Sequence, residues 1–300
     1  MQDASAREKS PQASLFEEEL TGAAQGRLAL FEDCAAAINQ LFAQALEAKG
    51  PAAFDEFLGF MARFNNLSVY NAMLVRVQRP GAAAVGSRRQ WAVYGRTVKP
   101  DAVPIVVLQP FGPVRFVFEI GDTEGREVPG ERMSSLFADG HVPEEQYNRT
   151  KLAAAKYGVE VAETDNYGTL LAGTAAAIKL LPDALTPKTK EAARYRVRVN
   201  AKHDLPTRFA TLAHELGHVY CGHLGADPKG RWPARAGLTY AQRELEAEAV
   251  AWLVCRRTGA SPRSKEYLSS LASDEDINAV SAYAIFEAAN RVEARTAPQA

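Results

Sequence analysis

The stretch Thr211-Leu212-Ala213-His214-Glu215-Leu216-Gly217-His218-Val219-Tyr220 constrains this chain more than any other. It contains H-E-x-x-H, and its apolar spacing predicts a helix from Thr207 to about Cys221. On that helix His214 and His218 are four residues apart and lie one above the other on a single face. Two imidazoles so placed can hold one Zn²⁺, and Glu215 between them can act as general base toward water. The motif follows a predicted strand, and a carboxylate-rich helix comes next after a loop.

A zinc site of this kind needs a third protein ligand. The following predicted helix, Ala241–Arg257, offers Glu244, Glu246 and Glu248. Glu244 and Glu248 share a face, whereas Glu246 points to roughly the opposite side. His223 competes with them. The metzincin pattern places a glycine three residues and a histidine six residues after the second motif histidine. Here Gly222 stands at plus four and His223 at plus five, which favours a rim position for His223. Tyr240 or His223 can serve as a hydrogen-bond donor to a developing oxyanion. His141 and His203 stand alone and receive no role.

The remaining composition sets limits. A formal net charge of −1 over 300 residues points to neither nucleic acid nor membrane as a global partner. Cys34, Cys221 and Cys255 are odd in number and widely spaced, so they form no disulfide framework, and a reduced, cytoplasmic setting is expected. No apolar run reaches the ~18 residues that span a bilayer. Residues 1–26 are polar, with Glu17-Glu18-Glu19, and read as a disordered tail rather than a signal peptide.

Helical spacing predicts helices over Leu28–Lys49, Pro51–Arg63 and Ser68–Gln78, the last with Ser68 as N-cap. Pro104–Leu108 and Val114–Ile120 read as a hairpin. The stretch Gly121–Asn148 is rich in turn formers and reads as a connection, which places a linker at 126–150 between residues 27–125 and 151–300. Beyond it a short helix is expected at Lys151–Tyr157 and strands at Gly158–Val161, within Gly168–Leu181, and at Tyr195–Val199. Past the Ala241–Arg257 helix, helices are expected over Ser264–Leu271 and Asp274–Arg295. The fold class is α+β: N-terminal helices plus a small antiparallel sheet, then a C-terminal domain built on the H-E-x-x-H helix.

Residues 61–100 hold seven basic side chains and no acidic one. These are Arg63, Arg76, Arg79, Arg88, Arg89, Arg96 and Lys99, interleaved with Phe64, Tyr70, Trp91 and Tyr94. Guanidinium groups bind phosphates and aromatic faces stack on unpaired bases, so this composition suits single-stranded DNA. The alternative is that the aromatics are core and the arginines a solvated face.

Two resemblances follow from these residues. His214-Glu215-Leu216-Gly217-His218 together with Arg243-Glu244-Leu245-Glu246-Ala247-Glu248-Ala249-Val250-Ala251 resembles the ImmA/IrrE group of metallopeptidases. The Glu244-x-x-x-Glu248 pair is similar to the arrangement in glutamate-type zincins. That resemblance implies a zincin-like C-terminal domain with Glu244 as the third zinc ligand and Glu248 orienting a ligand histidine through its other ring nitrogen. The N-terminal half is similar to the ArdC-type antirestriction proteins at Arg63-Phe64, Ser68, Tyr70-Asn71, Leu74, Gln78-Arg79-Pro80, Val85-Gly86, Gln90-Trp91, Tyr94-Gly95-Arg96 and Val98. It departs at Lys99-Pro100-Asp101-Ala102-Val103-Pro104, where that family has a basic, glycine-containing turn. Together the resemblances imply a module for single-stranded DNA joined to a zinc-dependent endopeptidase acting on a protein or peptide. They also imply a role in protecting incoming plasmid DNA or in regulated cleavage of repressors. An extended substrate is expected to pair with the strand Tyr195–Asn200.

Overall fold

A computed structural model of the chain describes residues 25–26, 29, 32–33, 35–43, 50–109, 112–127, 142–165, 171–178, 194–260 and 273–293. The expected N-terminal tail up to residue 24 and the expected helix Ser264–Leu271 lie outside these residues. Of the expected helix Leu28–Lys49, residues 29, 32–33 and 35–43 are described and helical (α1). Helix α2 (Pro51–Arg63) starts on Pro51, whose missing N–H costs nothing at a helix N-terminus. Helix α3 (Val69–Gln78) is capped by the Ser68 side chain, which accepts from the Asn71 N–H. Then follow β1 (Val85–Gly86), α4 (Arg88–Val93), β2 (Arg96–Val98), β3 (Ile105–Gln109), β4 (Gly112–Glu119) and β5 (Thr123–Gly125).

The hairpin β3–β4 forms with Ile105 opposite Val117 and Val106 opposite Phe116, and β1 adds to the other side of β4, giving the order β1-β4-β3. The outer edge of β3 does not stand open. The Gln78 amide donates to Val106 O at 2.8 Å and accepts from Val106 N at 2.9 Å. The Asn71 amide does the same for Leu108, at 3.0 and 2.8 Å. Two side-chain amides seven residues apart on α3 thus stand in for a neighbouring strand and close the edge. A separate two-stranded sheet pairs β2 with β5.

The next helix, α5, runs from Glu144 to Lys156. It begins within the stretch expected to be a linker and is nearly two turns longer than the expected Lys151–Tyr157. Pro143 supplies its start, and Tyr147, Thr150 and Ala154 form its buried face. Strands β6 (Val159–Thr164), β7 (Gly173–Ala177) and β8 (Tyr195–Asn200) form a mixed sheet in the order β6-β8-β7, with β6 parallel and β7 antiparallel to β8. The expectation that Tyr195–Asn200 pairs with a substrate is therefore corrected. Both edges of β8 are occupied, and among the described residues β6 and β7 are the outer strands.

Helix α6 (Leu205–Tyr220) carries the motif, and the Asp204 carboxylate caps it at Thr207 N. Phe209, Leu212, Ala213, Leu216, Val219 and Tyr220 turn inward at helical spacing and leave His214, Glu215 and His218 on the other side. Helix α7 (Tyr240–Thr258) is buried on all faces from Leu245 to Cys255 and ends on left-handed Gly259. The expected single helix Asp274–Arg295 is two helices, α8 (Asp274–Ala279) and α9 (Ala282–Val292). The break falls at Val280-Ser281, where the Ser281 side chain caps α9 and its N–H donates to buried Glu246 at 2.7 Å.

One hydrophobic core joins both halves of the chain. Phe54, Phe57, Met61 and Met73 from α2 and α3 are continuous with Leu216, Val250, Leu253 and Phe286 of the later helices. Phe57 stacks on Phe286, and Tyr70 packs against Tyr283 and Phe286. Arg257 of α7 is fully buried, pairs with buried Glu293, and donates to the carbonyls of Met61, Phe64 and Leu67. Helices α2 and α3 thus share one continuous core with the later helices. A small second cluster of Ala84, Trp91, Val98 and Phe118 organises α4 and the strands around it.

Candidate metal centre

Helix α6 presents His214 and His218, and α7 crosses it closely: a Cβ on Gly217 would lie 3.0 Å from the Ala247 Cα. That approach brings Glu244 between the two histidines. His214 Nε2 and His218 Nε2 are 3.2 Å apart, and Glu244 lies 3.4 Å from each through its two carboxylate oxygens. A tetrahedral ion with zinc-like bonds of about 2.0–2.1 Å sets its ligand atoms about 3.3 Å apart. The donor set, two nitrogens and a carboxylate converging at this spacing, fits a divalent transition metal.

The charges agree with that fit. Burial disfavours an imidazolium at His214, yet Glu244 and then Glu248 outweigh it and hold the pKa up at about 10. Burial, reinforced by neighbouring His214, pushes His218 down to about 3. The hydrogen bond from His214 keeps Glu244 below the usual carboxylate range. The cluster therefore holds one positive charge between carboxylates, at His214, and a cation among the same donors would supply it instead. Glu215 sits beside these groups, and burial raises its carboxyl to about 7.

The groups behind the donors divide into two arrangements. Glu248 accepts from His214 Nδ1 at 3.0 Å. His218 has no carboxylate at its Nδ1; that atom is 3.0 Å from His223 Nδ1, and His223 Nε2 is 2.9 Å from Glu246. Glu246 is fully buried, accepts from Ser281 N, and is held in a bidentate pair by Arg235. Although burial opposes its charge, His223 and Arg235 keep the Glu246 carboxyl below the usual range. Arg235 reaches it because the loop after α6 doubles back at Gly222. That residue has φ of +79°, and a Cβ there would stand 2.1 Å from Pro233 O.

The structure thus brings together His214, Glu215, His218, Glu244 and Glu248. It corrects the expectation for His223, which is not a rim residue or oxyanion donor: both its nitrogens are engaged inside the protein. Tyr240 is 69% exposed, one turn before Glu244 on the same side of α7. Glu246 does point away from Glu244, but into the core. Arg235 was missed, since nothing in a loop sequence says which carboxylate it meets. Cys221, His223 and Glu246 form a second compact group. It does not fit a metal, because Arg235 already neutralises Glu246 and burial pushes the Cys221 thiol well up.

The basic–aromatic stretch reads differently in three dimensions. Trp91 is buried and donates to Phe118 O at 2.9 Å, and the half-buried Tyr70 ring is taken up by Tyr283 and Phe286, so neither presents a free face to a base. Arg76 pairs with Glu56, Arg79 with Asp122, Arg96 with Thr123 and the Arg126 carbonyl, and Lys99 with the Gly121 carbonyl. Arg88 lies over the Phe118 ring, and Arg63 donates to Ala82 O. Only Arg63, Arg88 and Arg89 of the seven are exposed. The acid-free composition of 61–100 arises because its cations meet acceptors that lie mainly outside that stretch.

Residues 146–268 match the family model of the IrrE N-terminal-like domain, Peptidase_M78. The matched stretch runs from within α5 to beyond α7 and includes all the donors above. Two crystal structures of the antirestriction protein ArdC from plasmid R388 are similar at low overlap. The metal-free form aligns with a TM-score of 0.33 and 18% identity over 75% of this chain and 81% of that one. The Mn(II)-bound form gives 0.34 and 16%, over 81% and 97%. No curated protein matches the chain. Among the described residues, no helix is long and apolar enough to cross a membrane.

Proposed function

We propose that this chain is a zinc-dependent endopeptidase. His214 Nε2, His218 Nε2 and Glu244 hold the ion, and Glu215 acts as general base. The observation that carries the reading is the mutual spacing of the three donors, 3.2, 3.4 and 3.4 Å, with Glu215 on the same helix face. When bound, Zn²⁺ polarises the scissile carbonyl and lowers the pKa of water.

The chain supplies the rest. Glu215, with its pKa near 7, can take a proton from the attacking water at neutral pH and return it to the leaving amine. Glu248 holds His214 with its Nε2 toward the other donors. The outer strand β7 enters the site at Gly173, where a Cβ would lie 3.3 Å from Glu215 Cγ. An extended substrate pairing with β7 would run past Glu215 and Glu244, a role that β8 cannot fill.

The test is Glu215→Gln. It removes the base and keeps the three donors, so it retains zinc and loses cleavage of a co-expressed substrate by about 100-fold or more. Cleavage at the parent rate removes Glu215 from the mechanism.

A further inference from the structure

His218 differs from His214 in what stands behind it, and tautomer logic follows the difference through four residues. Arg235 carries a permanent charge and grips both oxygens of Glu246. Glu246 therefore accepts from His223 Nε2, 2.9 Å away, which places the proton of neutral His223 on Nε2. His223 Nδ1 is then a lone pair. The atom facing it at 3.0 Å, His218 Nδ1, must carry a proton. This leaves His218 Nε2 as a bare lone pair directed at His214 and Glu244. With His223 neutral and Glu246 ionised, moving either ring proton sets two N–H groups or two lone pairs against each other along the buried His218–His223–Glu246 contacts, where an unmade hydrogen bond is costly.

We propose that His223 is a positioning residue for the second motif histidine: backed by Glu246 and Arg235, it locks His218 in the tautomer that offers Nε2 to a divalent metal. The site is then held by two unequal devices, a carboxylate directly behind His214 and a neutral imidazole relay behind His218. Burial serves the relay, since His223 and Glu246 are out of reach of water that would otherwise satisfy either ring nitrogen. Ser281 closes the far end by donating its N–H to Glu246, so the break between α8 and α9 belongs to the same arrangement.

The proposal rests on the metal reading above, and two measurements separate them. The first is the ¹⁵N ring shifts of the metal-free full chain. His218 is expected to be protonated on Nδ1 and His223 on Nε2; a proton on His218 Nε2 instead overturns the relay whatever the metal does. The second is Zn²⁺ affinity, by chelator competition, of the parent, His223→Leu and His223→Gln. Losing a group behind a ligand histidine typically weakens metal binding about 10- to 100-fold, and His223→Leu is expected to do so. The glutamine amide can accept from His218 and donate to Glu246 over a similar span, so His223→Gln is expected to recover most of the affinity. A parent that binds Zn²⁺ beside an equally tight His223→Leu overturns the proposal alone. A parent that binds no Zn²⁺ overturns the metal reading, and the claim on affinity with it. Circular dichroism of the leucine variant identifies a folding failure, and the ring assignment in the parent does not depend on that variant.

Discussion

At the scale of the residue, Gly173 joins the sheet to the helix that carries Glu215. A Cβ there would lie 2.5 Å from Thr211 Cγ2, 2.9 Å from Arg198 O and 3.3 Å from Glu215 Cγ. Gly173→Ala must therefore push β7 away from α6, at about 1–3 kcal/mol for overpacking. Because the three metal donors lie on α6 and α7, Zn²⁺ affinity should hardly change while peptide cleavage falls. Adding Thr211→Ser, which deletes the crowded methyl, should restore part of the stability. An unchanged melting temperature in Gly173→Ala would show that β7 does not press on α6 as described. Residue spacing made much of the site visible in advance: positions four apart put His214 beside His218 and Glu244 in line with Glu248. The same wheel set Glu246 on the far side of α7. Helix α7 is buried all round, so its far side is core, and only the fold could show that Arg235 and His223 meet Glu246 there.

At the scale of the element, the long amphipathic helices were legible because apolar residues at helical spacing report a buried face. Short elements were not. Strands β1 and β2 hold two and three residues, too few for any alternation to register. Helix α4 did carry a signal, the capping box formed by Ser87 and Gln90, which pattern reading passed over. Trp91 and Tyr70 looked like stacking platforms because sequence shows that a side chain is aromatic, not which way it faces. The contact between elements with the most at stake is Arg257, reaching from α7 to the turn between α2 and α3. Arg257→Leu takes the buried guanidinium from Glu293 and from the Met61, Phe64 and Leu67 carbonyls. Breaking a buried pair from one side costs about 3–5 kcal/mol, and denaturant unfolding should show a loss of that size. The double change Arg257→Leu with Glu293→Leu should be milder than the single one. A loss below ~1 kcal/mol in the single variant would mean the pair does not tie α2 and α3 to the core.

At the scale of the whole molecule, the chain reads in sequence as two modules with a linker between them. The structure instead runs one core from α2 and α3 through α6, α7 and α9, with a small sheet-bearing lobe on a second cluster. The difference has a physical origin. A Gly- and Pro-rich stretch marks turns, but whether the segments flanking it share a core depends on long-range packing that local composition does not encode. The shared core also bears on the site, since Arg257 on α7, the helix that supplies Glu244, is anchored to the N-terminal helices. The central claim, that His214, His218 and Glu244 together hold a divalent metal, is tested most directly by calorimetric titration of Zn²⁺ into the metal-free full chain, for the parent and for Glu244→Ala. The account predicts about one equivalent bound by the parent and an affinity lowered by at least about 100-fold in the variant, as befits the loss of one of three protein ligands. Binding well below one equivalent in the parent, or equal affinity in Glu244→Ala, would contradict it.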